Sequence, residues 1–350
     1  MRNMKTDNKI RESNFELLRI LSMFLIVLHH FSVYSENLFE PGSTGYLLHY
    51  MFSVGGKLGV KCFFLISGYF LCEKERNINK LFKLWGEIFF WSIAIFCFMV
   101  VANLIPFSVK DFIKSLFPIS FDMYWFATTY FVLYLLFPYI NKFTSCLGKK
   151  EMLNLIIILF CAWSIIPTFF NTQSTFSNFS WGFFLYLVGA YIRKYHNEKI
   201  SIYKVWSLII FILNIGIIFV SIVLIGSIGK DNEKLLDNII YFAKSQSVFM
   251  AISSVSIFFL FKNLRIRDKL WINTISATTF GIYLIHDNVF FRNFIWKNYT
   301  ITYDTVWNFI LYSVIKTLMV FFLCAVLEWM RSKGMKYLKK VTTERNVCDK

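Results

Sequence analysis

The chain has 350 residues, of which 57% are hydrophobic, 20% aromatic and only 17% charged, with a formal net charge of +16. A water-exposed surface needs roughly a quarter or more of its residues charged, so 42 phenylalanines and a mean hydropathy of +0.54 exclude a soluble domain. The basic residues fall in short clusters between apolar runs, which reports membrane topology rather than a nucleic-acid partner.

The apolar runs are continuous over about 20 residues, the length at which a helix crosses about 30 Å of hydrocarbon; membrane strands would alternate over about ten. The sequence therefore predicts an all-α integral membrane bundle of about ten helices. In chain order they are expected at about 15 to 35, 46 to 72, 82 to 105, 122 to 141, 152 to 171, 180 to 194, 204 to 228, 239 to 261, 272 to 296 and 305 to 330. With the N-terminus inside, the inner segments hold 27 lysines and arginines and the outer loops six. That asymmetry predicts both termini in the cytoplasm. Residues 1–350 then form one membrane domain, with 1–14 a cytoplasmic lead-in and 331–350 a basic tail. Trp85, Trp125, Trp181, Trp206, Trp271, Trp296, Trp307 and Trp329 fall at expected span ends, where an amphipathic ring prefers the headgroup region.

Seven cysteines without paired spacing suggest neither a disulfide framework nor a zinc site, and no metal is expected. The first span follows Lys5, Lys9 and Arg11 as a signal peptide would, but its two histidines and the lack of an A-x-A-like site predict that it is retained. No outer loop exceeds about twenty residues, so the chemistry is expected within or at the membrane.

The first span carries Glu16, Arg19, His29 and His30. At about 100° per residue, the eleven residues from Arg19 to His30 make three turns and about 20°, placing both on one face about 16 Å apart, while His29 points about 80° away. Arg19 then lies at the cytoplasmic mouth with Glu16 one turn below, and His30 lies deep in the membrane. In the second span Lys57 and Lys61 stand four apart, after Gly55-Gly56. Ionisable groups in a span are costly and face a protein or water-filled interior. Two readings stay open: snorkelling with an internal ion pair, for which Glu87 is a candidate partner, or the lining of a cavity that takes an anion. The glycine pair could divide that span in two. Lys244 and Lys316 are the other basic residues inside apolar runs.

His286 lies in the ninth span at a depth comparable to His30. Two neutral imidazoles at one depth suit a base and its orienting partner for a hydroxyl. Interhelical hydrogen bonding is the alternative for each. His49 and His196 read as solvated. The sequence contains no Walker loop, H-E-x-x-H, nucleotide-fold glycine pattern or G-x-S-x-G.

Several motifs in order resemble the acyltransferase 3 family of integral-membrane O-acyltransferases that modify bacterial surface glycans. They are Glu16 to Arg19 with ten residues before His30, Gly59 to Phe70 with its Ser67-Gly68-Tyr69, Tyr124 to Asn141, and Gly281 to His286. One departure is Lys80 and Lys83, where the family often has two arginines; lysine keeps the charge and loses the bidentate fork. The resemblance implies a bacterial cytoplasmic-membrane enzyme moving an acyl group, most often acetyl, from cytoplasmic acyl-CoA to a sugar hydroxyl of a surface or lipid-linked glycan. Acetyl-CoA or another acyl-CoA is then a donor substrate rather than a bound cofactor, and the partners are the glycan acceptor and membrane lipids, with no nucleic acid. Under it Arg19, Glu16, Lys80 and Lys83 meet coenzyme A, and His30 with His286 is catalytic, His30 as base or as acyl carrier. Lys57, Lys61, Ser67, Tyr69, Trp125 and Tyr283 are expected to line the cavity, Ser67 being a weaker nucleophile candidate. The rival reading is a transporter or flippase of lipid-linked glycans.

Overall fold

A computed structural model describes residues 12–170, 178–297 and 305–348. Most of the lead-in, residues 1–11, lies outside the described residues, and among those described there is no strand. The helices in chain order are α1 (Ser13–Tyr34), α2 (Thr44–Leu71), α3 (Ile78–Val101), α4 (Val109–Leu116), α5 (Trp125–Ser145), α6 (Lys149–Phe160), α7 (Ile166–Phe170), α8 (Asn178–Tyr195), α9 (Ser201–Ile228), α10 (Glu233–Leu236), α11 (Val248–Asn263), α12 (Leu270–Ser276), α13 (Thr279–His286), α14 (Arg292–Trp296) and α15 (Val306–Cys348).

Seven helical stretches among the described residues are long and apolar enough to cross a membrane: α1, α2, α3, α6 with α7, α9, α10 with α11, and α15. Both α5 and α8 are of nearly spanning length but carry more polar groups, and these are used internally. Asn141 of α5 donates to the Leu71 carbonyl at 2.8 Å and accepts from the Tyr186 hydroxyl at 2.7 Å, tying α2 and α8 to α5. Such bonds are how polar side chains join helices where no water competes.

At the centre stands α2, started by Ser43, whose hydroxyl accepts from the Tyr46 amide at 3.3 Å. It is one continuous helix of 28 residues, so Gly55-Gly56 does not break it. The small residues serve close approach instead. A Cβ on Gly59 would lie 2.4 Å from the Ser22 carbonyl oxygen of α1, and one on Gly68 would lie 2.1 Å from the Tyr186 carbonyl oxygen of α8. Backbones this close are possible only where side chains are absent. Between them α1 and α8 bury α2 on two sides.

The ninth expected span is the largest departure. It is three short helices, α12, α13 and α14, interrupted at Ala277-Thr278 and again after His286. Asn288 holds the second break: its carboxamide oxygen accepts from the Phe290 amide at 3.0 Å and its nitrogen donates to the Tyr124 hydroxyl at 2.5 Å. Broken backbone at membrane depth is tolerated where it is buried in protein, and this break is buried. Lys244 also moves, lying after a short 3₁₀ turn at Tyr241–Ala243 rather than within a helix. Lys316 is buried in α15 against the rings of Trp296 and Tyr312, 5.7 and 5.3 Å from their centroids. The basic tail continues α15 as helix to Cys348.

Outward faces are apolar. On α9, Ile209, Ile212, Leu213 and Val220 are all exposed, as a lipid-facing helix requires.

Candidate active site

Two hollows lie along α1 and α2. The wider, about 430 Å³, is lined by Glu16, Arg19, Ser67, Lys80, Lys83 and Tyr130. The narrower, about 150 Å³, is lined by His29, His30, Lys57, Lys61, Trp125 and Tyr283. We call them the vestibule and the chamber. Phe126 of the vestibule wall packs on two chamber residues, its ring 5.3 Å from Phe64 and 5.4 Å from Tyr283, centroid to centroid.

His30 lines the chamber, and behind it the fully buried His286, from the opposite end of the chain, meets its ring. His30 Nδ1 lies 2.8 Å from His286 Nε2, and His286 Nδ1 lies 2.6 Å from the Ile282 carbonyl oxygen. Since a carbonyl only accepts, His286 carries its proton on Nδ1, and in its neutral form it must accept at Nε2. His30 therefore donates from Nδ1. Its Nε2 is left with the lone pair, the form that takes a proton. The second break in the ninth span is what makes this geometry: α13 ends at His286, so the ring and the residues after it are presented at a helix terminus.

Asp287, Tyr34 and Arg292 lie beyond that Nε2, and sequence reasoning gave none of them a role. Asp287 Oδ1 is 3.8 Å from His30 Nε2, accepts from the Tyr34 hydroxyl at 3.1 Å, and is 3.9 Å from the Arg292 guanidinium. Arg292 also donates to the Tyr34 oxygen at 3.1 Å. Asp287 is 3% exposed, so its charge acts on His30 with little screening. Tyr34 is four residues beyond His30 and hence on its face, a spacing that could have found it. Arg292 reads from sequence only as an outer-loop charge.

The remaining expected residues divide cleanly. Arg19, Glu16, Lys80, Lys83 and Ser67 are brought together in the vestibule, where Arg19 pairs with Glu16 at 2.5 Å and the other Glu16 oxygen accepts from Ser276. Lys57, Lys61, Trp125 and Tyr283 line the chamber. His29 lines it too, despite facing α2, and donates from Nδ1 to the Ser53 carbonyl at 2.5 Å. Tyr69 lines neither hollow; it is buried, its hydroxyl donates to Asn197 and the Arg193 guanidinium lies 5.1 Å from its ring centre. Its partners sit in the last turn of α8 and just beyond it, which draws the ring away from the cavity. Ser67 donates to the Phe63 carbonyl of its own helix at 2.7 Å. Glu87 does not pair with Lys57 or Lys61; it lies 3.4 Å from Arg331, which also makes a 2.6 Å ion pair with Glu328. Among the described residues no cluster of histidine, cysteine and carboxylate groups could hold a metal.

A family model described as an acyltransferase domain matches residues 12–329. The chain belongs to the acyltransferase 3 family. It is thus a membrane acyltransferase, and the transporter reading is set aside. The matched region takes in both hollows and both histidines of the acyltransferase. No curated protein and no solved structure matches the chain.

Proposed function

We propose that this acyltransferase is an O-acyltransferase, taking an acyl group, most often acetyl, from cytoplasmic acyl-CoA and passing it to a hydroxyl of a surface or lipid-linked glycan. The observation that carries the reading is the ordered His30 and His286 pair, with His30 on the wall of a small chamber near a basic vestibule. The vestibule suits the phosphates of coenzyme A, through Arg19, Lys80 and Lys83. Its inner placement belongs to the proposed ten-span arrangement in the bacterial cytoplasmic membrane, with both termini inside. The pantetheine arm would pass Phe126 and bring the thioester to His30.

His30 Nε2 takes the acceptor hydroxyl proton as the oxygen attacks the thioester carbonyl. The carbon–sulfur bond breaks, and the thiolate leaves with the proton that His30 returns. Asp287, 3.8 Å away, favours the imidazolium that forms between the two steps. His286 holds the productive tautomer and is a positioning residue. Because Nε2 is directed toward Asp287 and Tyr34, the geometry favours base catalysis over an acyl-histidine.

Inverted vesicles given radiolabelled acetyl-CoA test the reading. Labelled glycan and free coenzyme A should appear together in wild type and not in His30→Ala; a thioester left intact by wild-type vesicles with acceptor present would overturn it.

A further inference from the structure

Two cations in the chamber have no part in that reaction. Lys61 is 4% exposed, and its ammonium lies 5.2 Å from the centre of the Trp181 ring. Lys57 stands one turn earlier on the same wall. Among the described residues neither forms a hydrogen bond or an ion pair, and Glu87, the carboxylate the sequence offered, is held by Arg331. The two ammonium groups repel each other, and Lys244 repels Lys57 from the segment that leads into α11. Residues 171–177, which precede Asn178 of the chamber wall, contain no aspartate or glutamate.

An unpaired charge in a protein interior is strongly disfavoured, and two of like sign side by side are more so. A cation–π contact with Trp181 offsets part of the cost for Lys61 and none of the repulsion. What the pair lacks is an anion. The chamber has room for one: about 150 Å³, against about 30 Å³ for a water molecule in the liquid, accepts a carboxylate or phosphate together with part of a sugar ring. Asn178 and Ser245 line the same space and add neutral hydrogen-bonding groups.

Resting on the acyltransferase reading above, we propose that Lys57 and Lys61 are a binding site for an anionic group of the substrate, a carboxylate or phosphate, which makes the enzyme selective for acidic over neutral substrates. The group arrives either on the acceptor sugar or at the far end of the acyl chain, since both meet at His30.

The test uses the purified full-length protein in lipid nanodiscs, as wild type, Lys57→Met, Lys61→Met and Lys61→Arg. One arm compares methyl glucuronide with methyl glucoside as acceptors of radiolabelled acetyl-CoA. The other compares succinyl-CoA with butyryl-CoA as donors to methyl glucoside. Wild type should favour the acidic member of one pair at least tenfold in kcat/KM, and that pair identifies the source of the anion. The ratio should fall toward one in both methionine variants and survive in Lys61→Arg, which keeps the charge. Transfer that proceeds with equal kcat/KM for acidic and neutral members in both arms would overturn the proposal. If no pair supports transfer, the acyl-CoA reading fails and the anion site is judged by binding. Tryptophan fluorescence titrated with glucose 6-phosphate should then show a saturable change that glucose does not cause and that Lys61→Met and Trp181→Phe each remove; no difference between the two sugars would overturn the site.

Discussion

The vestibule gathers basic side chains from α1 and α3 and the chamber from α2, and they meet the cost of charge in opposite ways. In the vestibule Lys80 and Lys83 are exposed to solvent and Arg19 is neutralised by Glu16, so the hollow can stand empty in water. An arriving polyanion needs only to displace Glu16 from the guanidinium. In the chamber Lys57 and Lys61 have no counter-charge among the described residues, and the neighbouring histidines have spent a donor each on a fixed partner. On the proposed function, one hollow serves exchange and the other a defined occupant. That difference teaches where substitutions should act: on binding of a mobile donor in the first, on turnover and selectivity in the second.

The sharpest way to break the comparison is at His30. Removal of a general base costs about 10² to 10⁴ in rate, so on the proposed function His30→Ala should lose that much in kcat while its affinity for acetyl-CoA, assigned by that proposal to the vestibule, stays near wild type. Equal loss of donor binding would merge the two hollows into one site. His286→Ala should follow at about tenfold to a hundredfold, because His30 loses the acceptor that fixes its Nδ1 proton. His286→Gln, which still offers an accepting oxygen there, should recover part of kcat with KM little changed. A packing role alone would give no such rescue.

Vestibule substitutions should move the other parameter. A hydrogen bond to a charged group contributes about 1.5 to 3 kcal/mol, so Arg19→Ala should weaken acetyl-CoA binding by about tenfold to a hundredfold. Arg19→Lys should lie between, keeping the charge and losing the planar fork. Calorimetric titration of the three proteins checks the order. Unchanged affinity across them would return Arg19 to a topological anchor and leave Lys80 and Lys83 for the phosphates.

Much of this arrangement could be read from residue spacing. The helical period placed Arg19 and His30 on one stripe, and the structure has them in the vestibule and the chamber respectively. Equal depth suggested that His30 and His286 are neighbours, and they are hydrogen-bonded. What spacing could not show is tertiary. An apolar run looks the same whether it is one helix or three, so the break that presents His286 and Asp287 was invisible until Asn288 was seen to hold it. Gly55-Gly56 posed the reverse problem: glycine permits a break and also permits close packing, and only the proximity of α1 decides for the second. Charge alone offers Glu87 to Lys57 or Lys61 in one of the two open readings, whereas Arg331 reaches it from α15 across more than two hundred residues of sequence.

The smallest effect should come from Ser67, which carries a hydroxyl in the Ser67-Gly68-Tyr69 run and so invites a nucleophilic role. Its oxygen donates to the Phe63 carbonyl one turn back, the habit of serine inside a helix. The side chain faces the vestibule rather than the chamber, and no histidine lies among the vestibule's lining residues to activate it. Its neighbours carry the structural weight of the run: Gly68 lets α2 touch α8, and Tyr69 is anchored to Asn197. Ser67→Ala should therefore change kcat by less than about twofold, since the alanine removes one local hydrogen bond and leaves the helix packing intact. A loss approaching that of His30→Ala would move the covalent chemistry into the vestibule and reverse the division between the two hollows. Mass spectrometry of the protein quenched during turnover gives the second check, with an acylated peptide containing Ser67 as the result that would contradict direct transfer.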